Sequence, residues 1–157
     1  MLTQSGCAFT LKTPFGVGEV QSNLLGRHNI YNLLSAIAAA MVQGISLEQV
    51  QQMVRDIQPI PGRFESIENN QGFSVLVDYA HTDDALSNAI SAAKAFTDGK
   101  LIVVFGCGGD RDKGKRKAMG QAVLSAADFT FITSDNPRSE DPECIMEDIL
   151  QGVPESA

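Results

Sequence analysis

The sequence predicts an α/β protein, because three short strand-like segments alternate with helical patterns. The segments are residues 73–78, 101–105 and 129–133, each rich in β-branched, aromatic or aliphatic side chains. Each is followed by apolar residues at three- and four-residue steps, as on one face of a helix. Strands and helices that alternate in this way form right-handed crossovers around a parallel sheet. We therefore expect residues 59–157 to form an incomplete Rossmann-like domain, with strands buried between helices on both faces of the sheet.

The N-terminal part of the chain has a different pattern. Residues 1–25 combine short apolar runs with Gly and Pro, which is typical of edge strands and turns. The spacing then predicts an Ala-rich helix over residues 29–42 that ends at Gly44, and a second helix capped by Ser46. The Pro- and Gly-rich residues 59–62 cannot continue a helix or a central strand, so we expect a domain boundary there. Residues 1–58 and 59–157 would then belong to two domains, both incomplete.

Composition argues against several classes of protein. Nineteen acidic and 12 basic residues give a net charge of −7, which disfavours nucleic acid or an anionic membrane as the main partner. No apolar run approaches the roughly 20 residues of a membrane helix, and no leader pattern opens the chain, so we expect a cytosolic protein. Three cysteines without CxxC spacing and two separated histidines support neither a disulfide framework nor a metal site.

Polar residues follow every predicted strand of the C-terminal part. Residues 78–82 follow the first strand, the Gly-rich residues 106–113 follow the second, and residues 135–138 follow the third. Ligands of open α/β sheets bind outside the carboxyl ends of the strands. Three such loops at one edge therefore predict a binding site.

The most specific chemistry lies in residues 135–138. Arg138 offers a planar fork of donors that matches a carboxylate, Asn136 can donate and accept, and Asp135 can bind an ammonium group. Pro137 fixes its own φ and biases Asn136 toward an extended conformation. These residues predict a pocket wall for a small zwitterion, with Arg111 of the preceding loop directed into the site. The alternative is an ordinary Asn-Pro turn before the next helix.

The Gly-rich loop resembles part of a dinucleotide-binding fingerprint. Gly106, Gly108 and Gly109 lack the third glycine of G-x-G-x-x-G, and the loop does not open a helix directly, so we reject an NAD-dependent oxidoreductase. We expect these glycines to allow a sharp turn and a close approach to ligand. The basic residues that follow, Lys113, Lys115 and Arg116, are expected to form a solvated loop.

Taken together, these segments resemble the Mur ligases, ATP-dependent enzymes that add amino acids to peptidoglycan precursors. The family's His-Asn pair at the start of an Ala-rich helix corresponds to His28 and Asn29. Its domain junction, next strand end and substrate loop correspond to residues 61–65, 78–82 and 106–116. Residues 135–138 resemble the motif of the members that add meso-2,6-diaminopimelate. A guanidinium there would bind the distal carboxylate, which lysine lacks.

The resemblance implies individual roles. It assigns meso-diaminopimelate binding to Arg111, Asp135, Asn136, Pro137 and Arg138, and ATP binding to Asn29, Asn32, Arg63 and Asp78. In the second group, the two asparagines would lie near the adenine, Arg63 near the phosphates and Asp78 near the ribose. For His28 and His81, a structural role at a helix start or a strand end is favoured over a functional one. Residues 1–58 would be the tail of the central ATP-binding domain, and residues 59–157 the first part of the C-terminal amino-acid-binding domain.

The resemblance also implies a reaction. ATP phosphorylates the D-glutamate side-chain carboxylate of UDP-N-acetylmuramoyl-L-alanyl-D-glutamate, and an amine of diaminopimelate attacks the acyl phosphate. No segment matches the phosphate loop G-x-x-x-x-G-K-[ST], so we expect that loop and the Mg²⁺ ligands in the remaining parts of a parent ligase. We accordingly expect no catalytic residue, no metal ligand and no ligase activity in this chain alone.

Two other interpretations share these features. One is a non-catalytic Rossmann-like module that binds a zwitterion or a nucleotide. The other is a related ligase, either a Mur ligase that adds another amino acid or an enzyme of the folylpolyglutamate synthetase type. Residues 135–138 disfavour both related ligases.

Overall fold

The computed structural model describes residues 2–3 and 6–153, which form two compact units, Met1–Tyr79 and Ala80–Ala157. The elements in chain order are β1 (Leu2–Thr3), β2 (Gly6–Thr13), β3 (Gly16–Ser22), α1 (Arg27–Val42), α2 (Leu47–Asp56), β4 (Glu65–Ile67), β5 (Val75–Val77), α3 (Asp83–Lys94), β6 (Ile102–Phe105), α4 (Gly114–Leu124), β7 (Phe129–Ile132) and α5 (Pro142–Leu150). Among the described residues, no helix has the length and apolar character needed to cross a membrane.

In the first unit, an antiparallel sheet packs with two helices. The strand order is β1-β2-β3, and the β2–β3 register runs from Cys7 opposite Ser22 to Thr13 opposite Gly16. Alternate residues of β2 and β3 face the apolar stripes of α1 and α2, as the pleat requires. The buried core comprises Cys7, Leu11, Val20, Leu33, Ile37, Met41, Val50 and Val54.

Both helices of this unit form where the sequence predicts them. Gly44 follows the end of α1 with φ 88°, and its N–H donates to the Met41 carbonyl oxygen at 3.0 Å. Ser46 caps α2: its Oγ accepts the Gln49 N–H at 3.3 Å, and the Gln49 Oε1 accepts the Ser46 N–H at 3.0 Å. This reciprocal pair is a capping box, with Gln at the third helical position.

The first of the three predicted strands pairs differently from the expectation. Its central residues form β5, which pairs antiparallel with β4 over Glu65–Val77 and Ile67–Val75. The connection between β4 and β5 is short and polar, with Asn69 and Gly72 in it. A parallel connection needs a crossover of about a dozen residues or more, so a link this short permits only an antiparallel ribbon.

The parallel sheet and its crossover are confirmed in the second unit. β6 and β7 pair in parallel from Ile102 opposite Phe129 to Phe105 opposite Ile132, and α4 connects them. Helices α3, α4 and α5 share one core with the sheet. Its buried residues are Leu86, Ile90, Phe105, Cys107, Met119, Val123, Ile145 and Ile149.

Among the described residues, helices cover one face of this parallel pair, whereas the sequence predicted helices on both faces. On the other face, the exposed fractions are 56% for Ile102, 64% for Val104, 52% for Phe129 and 60% for Phe131. The reason is that α3, α4 and α5 all pack into the single cluster that contains Phe105. The sequences of β6 and β7 are apolar almost throughout, but only every second side chain points into this core.

Candidate functional site

Two loops leave the carboxyl ends of the parallel strands and lie against each other. We call residues 106–113 the β6 loop and residues 133–141 the β7 loop. They begin in contact: the Thr133 N–H donates to the Phe105 carbonyl oxygen at 3.0 Å, and a Cβ added at Gly106 would overlap the Thr133 carbonyl oxygen. Because parallel strands end at the same edge, their loops form one surface there.

Gly109 is the point of closest approach between the loops. Its N–H donates to the Asn136 carbonyl oxygen at 2.8 Å, and its own carbonyl oxygen accepts the Arg138 Nη1 at 2.5 Å. A Cβ on Gly109 would overlap the carbonyl oxygen of Pro137. Gly106 and Gly109 thus let the loops contact each other, whereas the sequence suggested a close approach to ligand.

The sharp turn of the β6 loop falls on Asp110 instead of a glycine. Asp110 has φ 52°, a left-handed conformation that Asp tolerates better than most residues. Its carboxylate accepts two bonds from Ser139, from Oγ at 2.7 Å and from N–H at 3.3 Å. These hydrogen bonds hold the pKa of Asp110 below its ordinary value. Asp110 therefore connects the two loops by hydrogen bonds in addition to those made by Gly109.

The β7 loop contains a turn and carries exposed polar side chains. The Glu140 N–H donates to the Pro137 carbonyl oxygen at 3.0 Å, and Arg138 takes a left-handed φ of 51° within this turn. Asp135, Asn136 and Arg138 are exposed. The predicted Asn-Pro turn and the predicted array of polar groups therefore coexist in one segment.

The two arginines of the predicted amino-acid site lie beside the same glycine. A Cβ built on Gly108 would lie 4.0 Å from Arg111 Cγ and 4.0 Å from Arg138 Nη1. Arg111 is exposed, and among the described residues no ion pair engages it. The structure thus brings together all five residues of the predicted diaminopimelate group on adjoining loops.

Arg116 corrects the expectation of a solvated basic loop. It is 1% exposed, and its guanidinium makes a two-pronged contact with Glu140, Nη1 to Oε2 at 3.0 Å and Nη2 to Oε1 at 2.8 Å. Nη1 also donates to Asp148 Oδ2 of α5 at 2.9 Å. The hydrogen bonds that the guanidinium donates to the two carboxylates, the bond to Glu140 above all, raise the pKa of Arg116 beyond its ordinary value. Its buried Nε has no hydrogen-bond partner among the described residues.

Glu140 connects this arginine to the β6 loop. Its Oε1 accepts the Asp110 N–H at 2.6 Å, and its Oε2 pairs with the exposed Lys113 Nζ at 3.0 Å. The Arg116 guanidinium, then Lys113 and the Asp110 N–H, lower the pKa of Glu140 to about 2.

Sequence reasoning missed Glu140, Ser139 and the burial of Arg116. One signal was present: Arg116, Met119, Gly120 and Val123 form the buried side of α4 at helical spacing. Arg116 therefore continues an apolar stripe, and a charged residue in such a stripe requires a buried partner.

The residues predicted to bind ATP all lie in the first unit. Asn29 is half-buried near the start of α1, where its Nδ2 donates to the Leu25 carbonyl oxygen at 2.7 Å and its Oδ1 accepts Asn32 Nδ2 at 3.1 Å. Asn32 is exposed. The Asn32 amide therefore lies at the surface, and the Asn29 amide is fixed by its hydrogen bond to the Leu25 carbonyl oxygen.

Phe64 links the other two residues of this group to the start of α1. It is 4% exposed with φ 50°, and its N–H donates to Asp78 Oδ2 at 2.8 Å. Its ring meets the His28 ring edge to face, with centroids 5.4 Å apart. The neighbouring Arg63 guanidinium lies 4.7 Å from the centroid of the Tyr79 ring. His28 thus has a packing role.

No group of three or more His, Cys, Asp or Glu residues that could hold a metal ion occurs in the described part of the chain.

The second unit is a parallel α/β unit whose adjoining strand-end loops carry two arginines, at the edge where open α/β sheets bind their ligands. The family model described as "Mur ligase, glutamate ligase domain" matches residues 62–157, and the chain belongs to this Mur ligase family.

The relatives named for one activity are similar over nearly the whole chain. The UDP-N-acetylmuramoyl-L-alanyl-D-glutamate--2,6-diaminopimelate ligase of Geobacillus kaustophilus (strain HTA426) is 46% identical over 152 residues, covering 97% of this chain and 31% of the relative. The enzyme of the same name from Geobacter sulfurreducens is 46% identical over 148 residues, covering 94% of this chain and 29% of the relative. The chain thus spans less than a third of the length of these two relatives.

Solved structures give the same result for the fold. A structure of a UDP-N-acetylmuramoyl-L-alanyl-D-glutamate--2,6-diaminopimelate ligase is 42% identical, with a TM-score of 0.64, over 99% of this chain and 32% of that one. A Mycobacterium tuberculosis folylpolyglutamate synthase complexed with ADP has a TM-score of 0.77 at 22% identity, over 96% of this chain and 34% of that one. The second likeness concerns the fold alone.

Proposed function

We propose that this chain is the diaminopimelate-recognition part of an ATP-dependent amide ligase that joins meso-2,6-diaminopimelate to UDP-N-acetylmuramoyl-L-alanyl-D-glutamate. The relative from Geobacillus kaustophilus carries this activity in its name at 46% identity over 152 residues. The observation that carries the proposal is the joined pair of loops after β6 and β7, which places Arg111 and Arg138 beside Gly108.

Arg138 is suited to bind the distal carboxylate of diaminopimelate. Its Nη1 is engaged by the Gly109 carbonyl oxygen, and it makes no other side-chain hydrogen bond within the described residues. The remaining Nε and Nη2 edge of a guanidinium matches the two oxygens of a carboxylate. The Gly109 bond fixes the direction of this edge, which reduces the side-chain entropy lost on binding. Lysine lacks a distal carboxylate and leaves this edge unpaired.

The neighbouring groups complement the rest of a zwitterion. Asp135 and Asn136 are exposed next to Arg138 and supply a carboxylate for an ammonium group and an amide that donates and accepts. Arg111 adds a second cation beside Gly108. One acid, one amide and two guanidiniums correspond to a ligand with carboxylate and ammonium groups at both ends.

The surface around Phe64 is proposed to bind ATP. The Asn29–Asn32 amides suit the adenine, the exposed Arg63 guanidinium suits a phosphate, and Asp78 suits the ribose hydroxyls. Mg²⁺, which stabilises phosphoryl charge when bound, would be held by residues of the parent ligase outside this chain. In this proposal, residues 1–58 belong to the central ATP-binding domain and residues 59–157 to the amino-acid-binding domain.

In the proposed reaction, the chain binds and orients the attacking amino acid. The γ-phosphoryl group of ATP passes to the D-glutamate side-chain carboxylate, which gives ADP and an acyl phosphate. The diaminopimelate amine then attacks the acyl carbon, and the tetrahedral intermediate loses phosphate and a proton to give the amide. Holding the amine in line with the acyl carbon lowers the barrier because the entropy is lost on binding. ATP-dependent precursor synthesis of this kind takes place in the cytoplasm.

A binding comparison tests the proposal. The 157-residue chain is titrated with meso-diaminopimelate and, as a matched control, with L-lysine, which differs only in the distal carboxylate. We expect diaminopimelate to bind more tightly; equal affinities would contradict the assignment of Arg138. A phosphate-release assay with ATP, the UDP-linked dipeptide and diaminopimelate should show no turnover by the chain alone. Turnover would show that the chain contains catalytic groups.

A further inference from the structure

The strongest unexplained feature of the second unit is the buried charge cluster behind the two loops. The Arg116 side chain is 2% exposed and the Glu140 side chain 15%, whereas Arg111 and Arg138 of the two loops are exposed. A buried ion pair contributes little net stability, because desolvation of the two charges offsets most of their attraction. Stability alone therefore gives no reason to bury an arginine here.

The cluster also bonds to the backbone of the β6 loop on both sides of Gly109. Glu140 Oε1 accepts the Asp110 N–H at 2.6 Å, and Arg116 Nη2 approaches the Gly108 carbonyl oxygen at 3.5 Å. These two backbone groups flank Gly109, whose carbonyl oxygen accepts the Arg138 Nη1. The position of the Gly109 carbonyl therefore depends on the Arg116–Glu140 pair.

Glu140 also belongs to the β7 loop, two residues after Arg138. Its N–H closes the turn onto the Pro137 carbonyl oxygen at 3.0 Å, while its carboxylate is fixed by the two-pronged Arg116 contact. Arg138 is thus fixed at both ends: its backbone by the turn that Glu140 closes, and its guanidinium by the carbonyl that Glu140 and Arg116 position.

We infer that Arg116 and Glu140 are positioning residues for amino-acid selectivity, which set the direction of the Arg138 guanidinium without touching the ligand. This inference rests on the proposed function, because it concerns the same diaminopimelate site. A small rotation of the Gly109 carbonyl turns the Nε and Nη2 edge of Arg138 away from the distal carboxylate. The expected consequence is weaker binding of diaminopimelate with the chemical step unchanged.

The test uses a full-length ligase that contains this chain, with the variants Glu140→Gln and Arg116→Lys. Gln brings an N–H₂ group against the guanidinium, and Lys keeps the charge but loses the two-pronged geometry. For both variants, we expect the KM for meso-diaminopimelate to rise about tenfold while kcat changes less than about twofold, the sign of lost binding rather than lost chemistry. The KM for ATP should stay at its wild-type value.

Asp148→Asn is the matched control. Asp148 pairs with the same Arg116 Nη1 but makes no side-chain hydrogen bond or ion pair with either loop among the described residues. We expect this variant to lower the melting temperature and leave the KM for diaminopimelate unchanged. A rise in that KM equal to that of Glu140→Gln would overturn the inference, because loss of charge around Arg116 would then be a sufficient cause.

Arg138→Ala, measured in parallel, separates the two levels of the proposal. If it leaves the preference for diaminopimelate over lysine unchanged, the proposed function itself fails. If it abolishes the preference while folded Glu140→Gln retains the wild-type KM, only the positioning role fails. Should Glu140→Gln and Arg116→Lys not fold, Glu140→Asp keeps the charge but shortens the side chain that spans the Arg116 guanidinium and the Asp110 N–H, and should raise the KM for diaminopimelate about threefold. A wild-type KM in that variant would also overturn the inference.

Discussion

Gly109 and Pro137 lie in direct backbone contact, so closely that a Cβ on Gly109 would overlap the carbonyl oxygen of Pro137. Gly109 does not have a left-handed φ, so its conformation is open to any residue and only the space is restricted. This contact joins the two loops at the centre of the proposed amino-acid site.

Gly109→Ala should therefore force the loops apart. Because the obstacle is backbone rather than a flexible side chain, we expect the free energy of unfolding to fall by about 1–3 kcal/mol, the usual cost of overpacking. Urea unfolding of the 157-residue chain measures this change. Gly99→Ala is the control, since a Cβ there meets no atom within 4 Å. Equal stability of the two variants would show that the loops separate at no cost.

Replacement of Arg138 should abolish the preference for diaminopimelate. In the full-length ligase, Arg138→Lys keeps the positive charge but loses the planar edge that remains beside the Gly109 bond. We compare kcat/KM for diaminopimelate with kcat/KM for lysine. In Arg138→Ala, we expect this ratio to fall by a factor equivalent to about 2–5 kcal/mol, and in Arg138→Lys by a smaller factor. Lys117→Ala, which removes an exposed charge from α4, serves as the control and should keep the wild-type ratio.

Local signals predicted most of the fold. Ser46, Gly44 and the apolar stripes of α1 and α2 determine where these helices lie, because capping and periodicity act within a few residues. The parallel pairing of β6 and β7 was likewise predictable, because a single helix, α4, connects the two strands. The antiparallel pairing of β5 could not be read from its composition, because apolar runs look alike in both kinds of sheet.

The site was only partly predictable, for a similar reason. Polar residues at strand ends indicated the two loops, since the carboxyl edge of a parallel sheet is a general ligand position. The buried ion pair joins Arg116 to a residue 24 positions away, and the sequence gives no distance between them. In the sequence, nothing distinguishes Lys113, Lys115 and Arg116 by their exposure. In the structure, Arg116 lies on the buried side of α4.

Ser46→Ala should destabilise the first unit. The substitution removes the Oγ that accepts the Gln49 N–H at 3.3 Å and leaves a helix N-terminal donor to water. We expect a loss of about 1 kcal/mol in the free energy of unfolding. The matched control is Ser35→Ala on the exposed side of α1, where the one hydrogen bond of Oγ within the described residues goes to the Tyr31 carbonyl oxygen four residues back. Ala favours a helix interior, so this control should be neutral or slightly stabilising.

The Arg116–Glu140 pair should make the second unit sensitive to acid. The Arg116 guanidinium lowers the pKa of Glu140 from 4.5 to about 2, so the carboxylate binds protons less readily in the folded state than in the unfolded chain. A lowered pKa stabilises the fold fully above pH 4.5, and this contribution is lost as the pH falls toward about 2. The hydrogen bonds from Ser139 also lower the pKa of Asp110.

To isolate Glu140, the unfolding free energies of the wild type and Glu140→Gln are compared from neutral pH down to about pH 2. Their difference should be constant at neutral pH and shrink below pH 4.5. A difference that persists unchanged to pH 2 would mean that the carboxylate charge does not stabilise the loops.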